Sequence, residues 1–381
     1  MNQSGGNLPE NPVEEVFNMH NWLFLYGTAF AGGCGMCLLL TPVFRIIAAK
    51  TGLMDVPANN HKGHRKATPL LGGAAMYLAW LICLVAGVIL VMSEKLPGFE
   101  STFAEHFPGF QFALSELAFL VIAATGAVIL GLIDDKFALS ASVKFAGQFI
   151  IALVAVLGGG VRVSLFISNP ILVKCVSVFW IMLMMNSINF FDNMDGLAAG
   201  TIAIATGFFT VIAALNNQYF VALFAALSCG VCCGFWFYNS APASIFMGDS
   251  GSHFIGFLAA VIAAQVTCFD SGYSLSRFPV LIPALILALP LFDTMMVVII
   301  RTLNKKPFWI GDHNHISHRF ARMGLTRPQA VLAVHLLALA LGSSTLPIYW
   351  GDFTTAAILV FQAVLLLALV TILQCAGAKK D

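Results

Sequence analysis

The chain has 381 residues, of which 59% are hydrophobic and only 10% charged. Soluble domains carry about 25% charged residues, so a large soluble core is excluded and an all-α polytopic membrane protein is expected. The net charge of +1 gives no reason to expect a nucleic-acid partner.

Residues 1–20 contain no Lys or Arg and no cleavable apolar core. They are expected on the outer side, with the first span acting as the insertion signal. Apolar runs near the roughly 20 residues that a crossing needs fall at 21–48, 70–92, 112–133, 143–157, 171–188, 197–214, 218–238, 253–268, 278–300, 330–348 and 353–375. They predict about eleven transmembrane helices, ten being the alternative because the fourth and eighth runs are short. One transmembrane domain then covers 21–375, followed by a tail at 376–381.

The connections 49–69, 134–142, 189–196, 239–252 and 301–329 would share one side, and with the tail and the adjoining span ends at Arg45 and Lys144 they account for fifteen of the nineteen Lys and Arg residues. The positive-inside rule makes that side cytoplasmic. All seven glutamates fall on the other side. Asp55, Asp134, Asp135, Asp192, Asp195, Asp249 and Asp312 lie in the cytoplasmic connections, and Asp293 lies in the ninth run toward the same end. Short carboxylates from several loops on one face suit a metal ion or a close substrate contact better than surface solvation.

In chain order, the loop from Asp55 to Gly73 is basic, and Gly72 and Gly73 permit close backbone approach. Basic groups beside backbone amides suit a phosphate, although a cytoplasmic loop is basic in any case. Asp134-Asp135 comes next, with Lys144 opening the following span; adjacent carboxylates persist where they share a cation or a proton. In the run from Asn186 to Asp195, the residues Asn186, Asn189, Asp192 and Asp195 follow one another at three-residue spacing. On a continuous helix they would share a face able to hold a cation, a ribose or an amide-bearing base. The alternative is a polar loop that caps two helices.

In Phe246–Ser252, Ser250 or Ser252 is expected to cap the next helix. Its free N–H groups favour an anion, and Asp249 beside that anion implies a divalent cation between them; the alternative is Asp249 as a simple N-cap. His315 and His318 are three residues apart, with Arg319 and Arg322 close by. Zinc would need two further ligands, so a phosphate-facing cluster is the better reading. His253 and His335 lie in spans and read as structural. Cys229 and Cys232 form a C-x-x-C without a second ligand pair, and small packing residues are the expectation there.

The stretches GLIDDKFALSASVKFAGQ, NSINFFDNMDGLAAG, FMGDSGSHFIGF, PLFDT and HNHISH, with LMDVP and RKATPLLGG before them, resemble in order the motifs of the polyprenyl-phosphate N-acetylhexosamine-1-phosphate transferases. The resemblance implies ten or eleven transmembrane helices around an active-site cleft on the cytoplasmic face of the plasma membrane. It implies a reaction in which a polyprenyl phosphate attacks the β-phosphorus of a UDP-N-acetylhexosamine, giving a polyprenyl-diphospho-sugar and UMP, with Mg²⁺ or Mn²⁺ required. By matching position, Asp249 would be the metal carboxylate and Asn189 a second ligand. Phe246 would stack on uracil, Asp192 and Asp195 would line the uridine pocket with Arg65 beside them, and Asn186 is counted with the substrate-binding residues. Asp134 and Asp135 would act near the lipid phosphate with Lys144 as their basic partner, and His315 and His318 near the diphosphate.

Many members read His-Ile-His-His where this chain has Ser317 in the middle. The branch using UDP-N-acetylmuramoyl-pentapeptide carries three consecutive histidines followed by Glu, which His315-Ile316-Ser317-His318-Arg319 lacks. UDP-N-acetylglucosamine is therefore the expected donor, for the first membrane step of a cell-envelope polysaccharide such as a lipopolysaccharide or teichoic acid. The pentapeptide transferase of peptidoglycan synthesis is the alternative, and a homodimer is compatible with either. A secondary transporter of an anionic solute is the competing class. It would place its polar residues near the bilayer midplane, often in two related halves; here they fall at span ends, and no half-repeat is visible.

Overall fold

The computed structural model describes residues 12–55, 67–93, 107–163, 165–268, 275–305 and 315–377. Arg65 and Asp312 lie outside the described residues. The long helices are α1 (Pro12–Thr51), α2 (Gly72–Met92), α3 (Phe107–Phe137), α4 (Ala141–Leu157), α5 (Pro170–Phe191), α6 (Leu197–Leu215), α7 (Tyr219–Asn239) and α8 (Gly248–Gln265). A 3₁₀ turn (Phe278–Leu281) leads into α9 (Ile282–Ile286) and α10 (Ala288–Leu303), followed by α11 (Ile316–Arg322), α12 (Arg327–Trp350) and α13 (Phe353–Gly377).

Helix is present at each of the eleven apolar runs, but a count of eleven spans is not confirmed. Among the described residues, eight helices are long and apolar enough to cross a membrane, or nine if the bent pair before and after Leu287 is one span. Two helices fall short for different reasons. α4 has only 17 residues, and α8 opens on Gly-Asp-Ser-Gly-Ser-His. The chain is a multi-pass membrane protein, and apolar side chains such as Phe24, Leu39, Ile122, Phe179, Phe237 and Phe361 are exposed around it, as lipid-facing surface requires.

α8 is the axis of the bundle. Every residue from Ser250 to Ala263 is buried; from Phe254 to Ala263 no side chain is polar, and a stretch apolar all round is stable only when surrounded. α2, α3, α5 and α6 pack around it, while α1 packs on α7 and α7 on α6. Small residues set the closest approaches. Gly73 of α2 faces the backbone of Gly251, where any β-carbon would overlap main chain. The start of α2 is also laced to the start of α8: Phe246 N donates to Pro69 O at 2.8 Å, Gly72 N to Phe246 O at 3.0 Å and Gly73 N to Met247 O at 2.9 Å. A short ladder pairs Met54 with Pro69 and Asp55 with Thr68, a feature the loop composition did not predict.

The ninth apolar run is broken, with a 74° bend between its halves. Pro290 lacks the N–H that would bond the carbonyl of Ile286, so the helix cannot run through. A new helix starts at Ala288 and carries Asp293, which is wholly buried.

Candidate active site

The polar residues gather where α3 ends and α2, α4 and α8 begin. Asp249 stands in the first turn of α8 and its side chain is 32% exposed. Its Oδ2 accepts from Lys144 Nζ at 3.0 Å and its Oδ1 from Asn189 Nδ2 at 2.9 Å. The same Asn189 nitrogen donates to Ser252 Oγ at 2.9 Å. Lys144 also forms a close ion pair with Asp134, whose side chain is only 2% exposed and whose Oδ1 accepts from Leu139 N at 2.8 Å. Three helices from separate parts of the chain thus bring a carboxylate, an amide and an ammonium group together.

The start of α8 is not capped by serine, contrary to expectation. Ser250 Oγ donates to Met247 O and Ser252 Oγ to Asp249 O. Asp135 caps the helix from α3: its Oδ1 accepts from Asp249 N at 2.7 Å and its Oδ2 from Ser250 N at 3.2 Å. The free N–H groups do attract an anion, and that anion is a side chain of this protein. Asp249 is therefore no N-cap, and its carboxylate stays open to other partners. Gly248, with φ at +66°, makes the turn, and a β-carbon there would meet the Asp135 carboxylate.

Asn189, Asp192 and Asp195 do not share a helical face. α5 stops at Phe191, and Asp192 is its C-cap with ψ at 62°. Asn193 Nδ2 takes the Phe190 carbonyl at 3.1 Å. Asp195 turns toward the α7–α8 connection, where its Oδ2 accepts from Ala243 N at 3.0 Å. Burial pushes the Asp192 carboxyl up to about 8, and the negative charges of Asp249, Asp195 and Asp135 act in the same direction. These acids occupy one electrostatic field although they do not share a helix.

Asn186 sits a turn deeper on α5, where its Nδ2 donates to Gln148 Oε1 at 2.6 Å and to Met182 O at 2.8 Å. Phe246 is half-buried, with its backbone tied to Pro69 and Gly72. His315 is buried, and the ring of His318 lies 6.4 Å from its ring, centroid to centroid.

Further contacts also escaped the sequence reading. Asp293 takes His315 Nδ1 at 2.7 Å and Ile316 N at 2.5 Å, so the broken span anchors the histidine segment. The available signal was an acid inside an apolar run, which by itself suggests a functional partner. Ser317, wholly buried, donates to Asn193 Oδ1 at 2.5 Å. It ties the histidine segment to the turn after α5.

Among the described residues, no three His, Cys, Asp or Glu side chains are grouped so as to hold a metal ion unaided. Mg²⁺ is commonly held by one or two carboxylates completed by substrate phosphates and water. The partly exposed Asp249 carboxylate fits that small donor set as it stands; Asn189 turns its amide nitrogen toward it and would have to rotate its amide to offer an oxygen.

A family model described as glycosyl transferase family 4 matches residues 117–267, a range that includes Asp134, Asp135, Lys144, Asn189 and Asp249. A protein of Bacillus subtilis (strain 168) named "Probable undecaprenyl-phosphate N-acetylglucosaminyl 1-phosphate transferase" is 30% identical over 342 residues, covering 87% of each chain. The chain belongs to glycosyl transferase family 4. Another similar member is the decaprenyl-phosphate N-acetylglucosaminephosphotransferase of Mycolicibacterium smegmatis, 31% identical over 317 residues, or 77% of this chain and 74% of that one. A phospho-N-acetylmuramoyl-pentapeptide-transferase of Bacillus cytotoxicus is 28% identical over 255 residues, or 62% of this chain and 72% of that one. Asp293 and the histidine segment of this family member lie beyond the matched range.

Proposed function

We propose that this protein transfers N-acetylglucosamine 1-phosphate from UDP-N-acetylglucosamine to a polyprenyl phosphate, releasing UMP. The observation that carries the proposal is the meeting of Lys144, Asn189 and Asp249 at the open end of an otherwise buried helix, in a chain whose relatives are named for that reaction. An oxygen of the lipid phosphate forms a bond to the β-phosphorus of the donor. The bond from that phosphorus to the bridging oxygen breaks, and its electron pair leaves with UMP.

Asp249 and Asn189 would hold Mg²⁺ or Mn²⁺, which when bound screens the repulsion between the two phosphates. Lys144 lies between Asp134 and Asp249, positioned to attract the lipid phosphate. Asp135 fixes the start of α8 and thereby the place of Asp249. Asp293 holds His315 through Nδ1, leaving Nε2 for a phosphate oxygen, with His318 alongside. Asp192, Asp195 and Phe246 are assigned to the uridine end. Transport is disfavoured, because these groups sit at helix ends.

The donor is tested by giving purified protein undecaprenyl phosphate with either UDP-N-acetylglucosamine or UDP-N-acetylmuramoyl-pentapeptide and measuring UMP. Release with the first donor alone is expected. Release only with the pentapeptide donor would assign the chain to peptidoglycan synthesis instead. The pentapeptide relative covers less of this chain, and His315-Ile316-Ser317-His318-Arg319 has neither the three consecutive histidines nor the Glu of that branch.

We place the site on the cytoplasmic face of the plasma membrane, supported by the fifteen of nineteen Lys and Arg residues assigned to the same side. A reporter fused after Asp381 is expected to be active only as a cytoplasmic reporter. Activity of an outside-specific reporter at that position would reverse the orientation.

A further inference from the structure

Each of the three helices that meet at the site carries a second polar residue one turn deeper. Gln148 follows Lys144 by four residues, Asn186 precedes Asn189 by three, and His253 follows Asp249 by four. Such spacings stack side chains on one face of a helix. We propose that Gln148, Asn186 and His253 form a positioning layer that sets Lys144, Asn189 and Asp249 in register, with His253 held as the neutral Nδ1–H tautomer. The role assigned to the layer rests on the transfer reaction and metal site proposed above.

The hydrogen bonds fix the direction of every group. The Met182 carbonyl can only accept, so the Asn186 atom 2.8 Å from it is the amide nitrogen. That nitrogen also donates to Gln148 Oε1 at 2.6 Å. The other end of the Gln148 amide, Nε2, therefore faces Asn186 Oδ1 at 3.4 Å and His253 Nε2 at 3.1 Å. An amide NH₂ donates and does not accept. His253 Nε2 must then be the acceptor, and the ring proton sits on Nδ1. Protonating the ring would set two donors face to face.

Gln148 is wholly buried and His253 is 1% exposed. His253 Nδ1 has no hydrogen-bond partner among the described residues, so Gln148 alone orients the ring through a polar contact. Buried polar groups are costly unless paired, and apolar side chains would pack three helices without this requirement. What the layer adds is rotational register. Turning α4, α5 or α8 by one residue, about 100°, would break the chain of hydrogen bonds and move Lys144, Asn189 or Asp249 away from the others. Partners behind metal ligands typically change metal affinity or activity about 10- to 100-fold when removed.

The test titrates Mn²⁺ into detergent-purified protein and reads free Mn²⁺ by electron paramagnetic resonance, with melting temperature in metal-free buffer as the fold control. His253→Leu and Gln148→Met are each expected to weaken Mn²⁺ binding about tenfold or more. They are also expected to raise the Mg²⁺ needed for half-maximal turnover, a shift that simple loss of folded protein does not produce. His253→Gln places an acceptor oxygen near the position of Nε2 and is expected to restore binding; the shorter His253→Asn is not. Wild-type Mn²⁺ affinity in Gln148→Met would overturn the proposal. So would equal losses in His253→Leu and His253→Gln. If His253→Leu does not fold, Gln148→Met and His253→Gln decide. Asp249→Ala separates the two levels, because Mn²⁺ binding retained there would remove the metal site itself.

Discussion

Asp249→Ala is expected to lower the rate of UMP release by on the order of 10³-fold or more at saturating substrates, since it removes the carboxylate proposed to hold the metal together with the local charge that orders Lys144 and Asn189. The loss should be chemical rather than structural. α8 is capped through the backbone N–H groups of residues 249 and 250, which donate to Asp135. Those N–H groups survive the substitution, so the melting temperature of the metal-free variant should stay close to that of the wild type. Lys144 would still have Asp134, and Asn189 would still have Ser252 Oγ, so no buried charge is left without a partner. A variant that keeps more than a tenth of the wild-type rate, with unchanged metal dependence, would show that Asp249 is not a metal ligand.

The helices were legible because an apolar run of membrane length admits few other structures. Their ends were less legible, since a helix end is decided by groups that come from elsewhere in the chain. Asp135 caps α8 across 114 residues of sequence, and no local pattern around Ser250 announces it. The spacing of Asn189, Asp192 and Asp195 suggested one face only on the assumption that α5 continued. Asn193, bonded to the Phe190 carbonyl, marks where it ends. Asp249, Lys144 and Asn189 could be read from residue type, but their contacts depend on how α4, α5 and α8 pack. The pairing of Asp293 with His315 needed the break at Pro290, which turns the span so that its acid meets the start of α11. The span count is left unconfirmed for a related reason: α8 is surrounded by protein, so it can begin with six residues too polar for a lipid-facing helix.

Labelled UMP is expected not to exchange into UDP-N-acetylglucosamine when no polyprenyl phosphate is present. Such exchange would require Asp134 or Asp135 to attack the β-phosphorus and form a phospho-sugar enzyme. Both oxygens of Asp135 accept backbone N–H groups. Attack would strip two donors at the start of a buried helix, at a cost of about 1–3 kcal/mol for each group left unpaired. Asp134 is almost fully buried and ion-paired with Lys144. A lipid phosphate monoester, with a second pKa of about 6, is already ionised near neutrality and needs placement and charge neutralisation more than activation. Lys144, already between Asp134 and Asp249, can supply both. Asp135→Asn should nevertheless reduce turnover by on the order of 10²-fold. An amide offers one acceptor atom where the two N–H groups need two, so α8 and Asp249 would shift. Direct attack predicts that Asp135→Asn slows the full reaction while lipid-free exchange stays absent in both proteins. Exchange in rigorously delipidated wild-type protein, lost in Asp134→Asn or Asp135→Asn, would establish the covalent route instead.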